Sequence, residues 1–175
     1  MKRILCAIGC IALASLTVLA QKKAAGSSAM TDQQFVDFAA QTDMLEANLG
    51  QLSQTAASSQ AVKDYGQMLV TDHTADYNEL GRIAQQANLK MPGSIDATHQ
   101  KAMISPFQKL KGTAFDRRYT QEMVTGHTKA IATYKNEAAN AQNSELKAYA
   151  QKVLPVLEKH LEAVKALEKP TAKKM

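Results

Sequence analysis

Hydrophobic residues recur along this chain at the three- and four-residue spacing of amphipathic helices, and the strict alternation that marks β-strands is absent. Four long segments carry the helical pattern, at about residues 31–57, 59–88, 113–142 and 144–168. Thr31 and Gln34 form a capping-box pattern at the start of the first segment. Ser59 and Ser144 are candidate N-caps for the second and fourth segments. The sequence therefore predicts an all-α protein.

The connections between the segments predict how the helices are joined. Short loops link the first helix to the second and the third to the fourth, so each pair is predicted to form an antiparallel hairpin. About 24 residues separate the second helix from the third, which is enough to travel the length of a bundle. This crossover contains turn residues at 92–94 and a short amphipathic segment at 97–110. We predict a four-helix bundle with one long crossover, and we expect both hairpin turns at the same end.

The N-terminal residues have the pattern of a secretory signal peptide. Lys2 and Arg3 precede an apolar or small run from Ile4 to Ala20. The predicted organisation is a signal peptide at 1–20, a flexible mature N-terminus at 21–30, the bundle at 31–169 and a basic tail at 170–175. After cleavage no stable membrane span remains, and the protein is expected in the periplasm or outside the cell. The alternative is an uncleaved anchor, because 17 apolar residues approach the length of a membrane span.

Cysteine use and charge narrow the possible functions. Cys6 and Cys10 are the only cysteines, so the processed chain would have no disulfide, thiolate metal site or cysteine nucleophile. Loss of Lys2 and Arg3 lowers the 21 basic residues to 19, against 16 acidic residues. The resulting net charge of +3 is small. The chain also lacks the interleaved basic and aromatic residues of nucleic-acid binders. No nucleic-acid partner is expected, and a homo-oligomer stays open.

A repeated motif places histidines on the apolar faces of two helices. Residues 69–74, Leu-Val-Thr-Asp-His-Thr, resemble residues 123–128, Met-Val-Thr-Gly-His-Thr. Each histidine, His73 or His127, follows a tyrosine by eight residues, and His160 lies on the apolar face of the fourth helix. Counted from the hairpin turns at about 1.5 Å per residue, the three histidines lie at heights of about 23, 23 and 27 Å. We predict that their rings converge in one layer of the bundle.

Carboxylates on the first two helices fall near the same layer. Asp43 and Glu46 are three residues apart and share a face of the first helix, as His73 and Asp76 do on the second. Asp72 points about 100° away from His73, which suits a supporting or surface role. Three imidazoles with one or two carboxylates can hold one divalent transition-metal ion. The predicted ligands are Glu46, His73, His127 and His160, with Asp43, Asp72 and Asp76 as secondary candidates.

The alternative for each histidine is an ordinary core position. A neutral buried histidine is commonly hydrogen-bonded to a tyrosine, a threonine or a backbone carbonyl, with no metal involved. Glu46 favours the metal interpretation, because a buried carboxylate needs a partner. The alternative for Glu46 is a boundary position exposed to solvent.

The chain also resembles a known family. Phe35, Ala39 and Glu46, then Asp72-His73, Phe115-Asp116, His127 and Leu154-Pro155 with His160-Leu161, are similar to an uncharacterised bacterial family, domain of unknown function 4142. The resemblance covers nearly the whole mature chain. It implies an exported protein with a ferritin-like fold, and recurring polar positions at Glu46, Asp72, His73, His127 and His160. It implies no activity.

The chain departs from di-iron carboxylate bundles, which use Glu-x-x-His on two helices. It contains no such motif, so a mononuclear histidine-rich site is favoured over a ferroxidase centre. The predicted function is the binding of a metal ion or small ligand by an exported bundle, with a role in envelope stress. One alternative is a structural or interaction module of the envelope without a ligand. Another is an oxidoreductase with bound iron or manganese, which the low carboxylate number disfavours; the pattern does not identify an enzyme.

Overall fold

The computed structural model describes residues 30–168, which form four long helices: α1 Asp32–Ala56, α2 Gln60–Gln86, α4 Gly112–Asn140 and α5 Ser144–Glu168. The crossover between α2 and α4 contains the short helix α3 Ala97–His99, a π-helical turn Gln100–Ile104 and a 3-10 turn Ser105–Phe107. Among the described residues there is no β-strand, so the all-α prediction is confirmed. The predicted signal peptide, the residues up to 29 and the basic tail lie outside the described range.

The backbone amides at the starts of the helices donate hydrogen bonds partly to nearby and partly to distant side chains. Thr31 and Gln34 form the predicted capping box, because the Thr31 hydroxyl accepts from the Gln34 amide and the Gln34 side chain accepts from the Thr31 amide. Ser59 makes no capping bond through its side chain; Asp116 of α4 accepts from its amide at 3.0 Å instead. Ser144 was expected as an N-cap, but Asn143 accepts from the first amides of α5.

The α1–α2 turn lies beside the start of α4. Asp116 accepts from the backbone amides of Ser58 and Ser59, both at 3.0 Å. At the other end of the bundle, the Phe35 ring near the start of α1 contacts Tyr134 of α4 at 5.1 Å and Tyr149 of α5 at 6.4 Å, centroid to centroid. The prediction that both hairpin turns share one end was therefore wrong. The crossover carries the chain back along the bundle, so α2 and α4 run parallel.

The parallel directions of α2 and α4, which face each other diagonally across the bundle core, explain the repeated motif. On both helices the tyrosine precedes the histidine by eight residues, or about 12 Å along the axis. The rings of Tyr65 and Tyr119 lie 6.2 Å apart, and those of His73 and His127 lie 6.0 Å apart. The repeat thus places two matched pairs of side chains at two levels of the bundle core.

The hydrophobic core is divided into two clusters. One includes Phe35, Leu80 and Tyr134, and the other includes Leu69 and Phe115. On each long helix the buried polar residues of the histidine layer lie between members of these two clusters. Between residues 30 and 168, no helix is long and apolar enough to cross a membrane.

Candidate metal centre

The histidine layer contains one imidazole from each of three helices and a carboxylate from the fourth. His73 of α2, His127 of α4 and His160 of α5 are fully buried, and Glu46 of α1 is 5% exposed. The three ring centroids lie 5.3 to 6.0 Å apart. One ring nitrogen of each histidine lies within 4.8 Å of the other two. The three rings therefore converge as the sequence predicts, although the two hairpin turns lie at opposite ends of the bundle and not at the same end.

Each histidine has one ring nitrogen in a hydrogen bond that points away from the centre of the layer. His73 Nδ1 lies 2.9 Å from Asp43 Oδ1, and His160 Nε2 lies 2.8 Å from Asp72 Oδ2. His127 Nδ1 lies 2.9 Å from the carbonyl oxygen of Met123, one turn earlier in α4. An acceptor on the outer nitrogen sets the tautomer and directs the other nitrogen inward, which is the usual arrangement for metal-binding histidines.

The remaining nitrogens have no hydrogen-bond partner among the described residues. They are His73 Nε2, His127 Nε2 and His160 Nδ1. Glu46 Oε2 lies 2.9 Å from the first and 3.1 Å from the second, and it too lacks a contact with hydrogen-bond geometry. With the protons of His73 and His127 on Nδ1, three lone pairs would face one another. A cation between them, either a proton or a metal ion, removes that repulsion.

The charges in the layer shift the pKa values of its members. Burial by itself lowers the pKa of His73, but the carboxylates of Glu46 and Asp43 outweigh burial and raise it well above its ordinary value. Burial raises the pKa of Glu46, yet the charges of His127 and His73 outweigh it and lower the pKa. Without a metal ion, a proton on His73 therefore balances the buried carboxylate of Glu46 at neutral pH.

Burial is the largest influence on the pKa values of His160 and Asp43. Burial lowers the pKa of His160 to about 4, so this ring is neutral at physiological pH and keeps a lone pair for a ligand role. Burial raises the pKa of Asp43 to about 6 despite its hydrogen bond to His73.

The secondary candidates occupy supporting positions. Asp43 and Asp72 hold the outer nitrogens of His73 and His160. Asp76 forms a second group with Asp43 and His73 in which the possible ligand atoms lie within 4.8 Å of one another. Burial also raises the pKa of Asp76. These carboxylates add negative charge around the layer, which favours a cation within it.

Several features of the layer were not expected from the sequence. The carbonyl of Met123 could not be foreseen as a partner of His127, although the four-residue spacing on one helix permits it. The hydroxyls of Tyr65 and Tyr119 are buried without a hydrogen-bond partner among the described residues. The core-histidine alternative, with a tyrosine, threonine or carbonyl as partner, fits only the outer nitrogen of His127 and leaves the inner nitrogens unexplained.

Comparison with known proteins places the chain in a family. Residues 17–167 match the family described as a domain of unknown function (DUF4142), and the chain belongs to it. No curated protein matches the chain. A solved structure of CopM in the Cu(II)-bound form is similar, with a TM-score of 0.59 and 15% sequence identity, and the match covers 79% of this chain and 95% of that chain. At this identity the likeness shows a shared fold.

Proposed function

We propose that this member of the DUF4142 family binds one divalent transition-metal ion at the centre of the histidine layer. The ligands are His73 Nε2, His127 Nε2, His160 Nδ1 and Glu46 Oε2. One observation carries the proposal: among residues 30–168 these buried atoms have no partner with hydrogen-bond geometry and lie close only to one another, while an acceptor holds the outer nitrogen of every histidine. Buried polar atoms are rarely left without partners unless an ion or water completes them.

The distances in the layer suit a site built on the three histidines, with Glu46 close to two of them. Bonds of 2.0–2.1 Å to a tetrahedral ion place the ligand atoms about 3.3 Å apart. The histidine nitrogens lie within 4.8 Å of one another, and Glu46 Oε2 is already 2.9 and 3.1 Å from two of them. Rotations that move each nitrogen by about 1 Å would bring the three imidazoles to ligand spacing. Glu46 lies outside the group of three and would also have to move toward His160 to complete a four-ligand site.

The donor types favour copper or zinc over the hard cations. Three neutral imidazoles and one carboxylate suit Cu²⁺ or Zn²⁺, whereas Mg²⁺ and Ca²⁺ prefer oxygen ligands throughout. Among the first-row divalent ions, nitrogen and oxygen sites bind Cu²⁺ most tightly. The fold shared with CopM, solved in the Cu(II)-bound form, also makes Cu²⁺ the first ion to test.

The four protein ligands favour holding a metal ion over transforming a substrate. Catalytic zinc sites keep a coordination position open for water or substrate, whereas closed four-ligand sites are typically structural. We therefore propose a metal-binding role, which the predicted exported location would place in the periplasm or outside the cell.

The test is a metal titration of protein freed of metal by chelation. We expect one Cu²⁺ or Zn²⁺ ion per chain by calorimetry, and an electron paramagnetic resonance spectrum of the Cu²⁺ form with coupling to several imidazole nitrogens. His127→Gln should weaken binding strongly. His99→Gln is the matched control, because His99 lies in the crossover with its side chain 44% exposed and pairs with Asp96. Substoichiometric binding, or equal affinity in both variants, would refute the proposal.

A structural module without a ligand is the second candidate, and the raised pKa of His73 favours it. In that case the doubly protonated ring of His73 lies between Asp43 and Glu46 and balances their negative charge. The titration separates the two candidates, because a purely protonated layer would show no stoichiometric metal binding at pH 7.5.

A further inference from the structure

A pocket of about 520 Å³ opens beside the histidine layer. It lies between α1, the crossover and α4, and its walls are largely apolar, with Phe38, Leu45 and Leu49 on the α1 side. Its volume is in the range of small-ligand pockets. We call it the access pocket.

Glu46 connects the access pocket to the layer. Of the four proposed ligands, Glu46 lines this pocket, whereas the three histidines are fully buried and line no described pocket. Gly126, one residue before His127, also lines the pocket, and a Cβ atom there would lie 3.4 Å from Glu46 Oε1. One oxygen of Glu46 thus meets the histidines, while the other lies against the glycine wall.

The polar residues around the pocket carry a net negative charge. Asp37, Asp96 and Glu122 line it, with Lys129 as the single lysine or arginine among the lining residues; Arg118, outside the lining, pairs with Glu122 at 3.3 Å. Hydrogen bonds from His99 lower the pKa of Asp96, so this carboxylate is ionised at neutral pH. A cleft lined mainly by one sign of charge raises the local concentration of the opposite ion.

We infer that the access pocket is the route by which a divalent metal ion reaches and leaves the histidine layer. Glu46 is the first protein ligand that the ion meets, through Oε1, before the three imidazoles replace its remaining water. Gly126 presents no side chain to this carboxylate, and a side chain longer than that of alanine would cover it. The inference rests on the proposed function, since it concerns the loading of the same site.

The test compares variants that narrow the pocket from opposite walls. Ala102→Trp fills the pocket from the crossover, where Ala102 is exposed, and Gly126→Leu fills it from α4. Ala132→Trp, at an exposed position of α4 that lines no described pocket, controls for the first variant. Gly81→Leu controls for the second, because a Cβ atom at Gly81 has nothing within 4 Å.

Stopped-flow mixing with Cu²⁺ measures loading, and transfer to an excess of chelator measures release. Narrowing the access pocket raises the free-energy barrier for both entry and exit of the ion. It leaves the free energies of the metal-free and metal-bound protein unchanged. We therefore expect Ala102→Trp to slow loading and release by a similar factor, about tenfold, with Kd changed less than about threefold. The controls should load at the wild-type rate. Gly126→Leu should slow loading at least as much, with some change in Kd because it contacts Glu46.

The possible failures are distinguishable. If the wild-type protein binds no metal, the proposed function fails. If it binds one ion but Ala102→Trp and its control load equally fast, the route is elsewhere and the inference is overturned. A change in Kd without a change in loading rate would also overturn it. Ala102→Trp decides the question even if Gly126→Leu does not fold, because its position on the exposed crossover leaves the core intact.

Discussion

Replacing Glu46 by glutamine removes one negative charge from the histidine layer with almost no change in shape. In the metal-free protein the carboxylate balances the protonated His73 at 2.9 Å, with both side chains buried. At that distance and an effective dielectric constant of about 20, the attraction is about 6 kcal/mol before desolvation. Breaking a buried pair costs about 3–5 kcal/mol, and Asp43 still partners His73 here. We therefore expect a loss of about 3 kcal/mol at pH 7.

The same substitution should weaken metal binding. Glu46 is the only charged ligand of the proposed four, and loss of a hydrogen-bond partner behind a ligand already costs about 10- to 100-fold in affinity. Loss of the ligand charge itself should cost at least about 100-fold. The pKa of His73 should also fall, because Glu46 is the strongest influence raising it.

Glu137→Gln provides the matched control. Glu137 is a carboxylate of α4 that is 1% exposed, and its oxygens have no hydrogen-bond partner among the described residues. Burial raises the pKa of Glu137, which shows that the buried charge is unfavourable. Replacement by glutamine should therefore leave the free energy of unfolding unchanged or increase it, and it should not change the metal affinity.

Three measurements test these effects. Urea unfolding of both metal-free variants gives the change in stability, and competition with a chelator of known affinity gives the change in metal affinity. An NMR titration gives the pKa of His73. The reasoning would be refuted if Glu46→Gln kept wild-type metal affinity and the same pKa of His73.

Three further predictions concern metal removal, pH and packing. A free metal concentration 100 times Kd should raise the free energy of unfolding by about 2.7 kcal/mol, and a chelator should abolish the gain; equal unfolding curves would contradict binding to the native state. Burial lowers the pKa of His160 from 6.5 to about 4. Between pH 6.5 and about pH 4 the unfolded chain therefore binds a proton on His160 that the folded chain does not, so the free energy of unfolding falls as the pH is lowered. Urea unfolding from pH 7 to pH 4 should show the metal-free wild type losing about 3 kcal/mol more than His160→Gln; parallel losses would refute the shift. Gly66→Ala should destabilise by about 1–3 kcal/mol in thermal unfolding, because its Cβ atom would lie 2.0 Å from Ser53 Oγ, whereas Gly81→Ala should be neutral or stabilising.

The buried faces of the helices were predictable because their spacing directly reports which side chains leave water. His73, His127 and His160 lie within apolar stripes, and all three are fully buried. For Glu46 the sequence left a buried ligand and an exposed boundary position as alternatives, and the burial of Glu137 was not predicted; both side chains are buried. Glu137 follows the buried Tyr134 by three residues and so continues the spacing of the buried face, but its charge favours an exposed position.

The relative direction of the helices could not be taken from local patterns. Connection lengths predicted the crossover, but the contact between Asp116 and the α1–α2 turn determines that α4 starts where α2 starts. The repeated tyrosine and histidine spacing acquires its meaning only from that parallel arrangement. Loop length limits where a chain can go, and packing between distant segments selects among the permitted arrangements.

The periodicity of this chain determined that three imidazoles would enter the core of a helical bundle, and only the tertiary structure decided that Glu46 joins them. Only the tertiary structure decided which atom of each faces inward. Asp43, Asp72 and the Met123 carbonyl select the inner nitrogens, and two of these acceptors lie 30 and 88 residues from their histidines. A helix sets the side on which a side chain lies, but the orientation of a ring follows from hydrogen bonds to neighbouring helices.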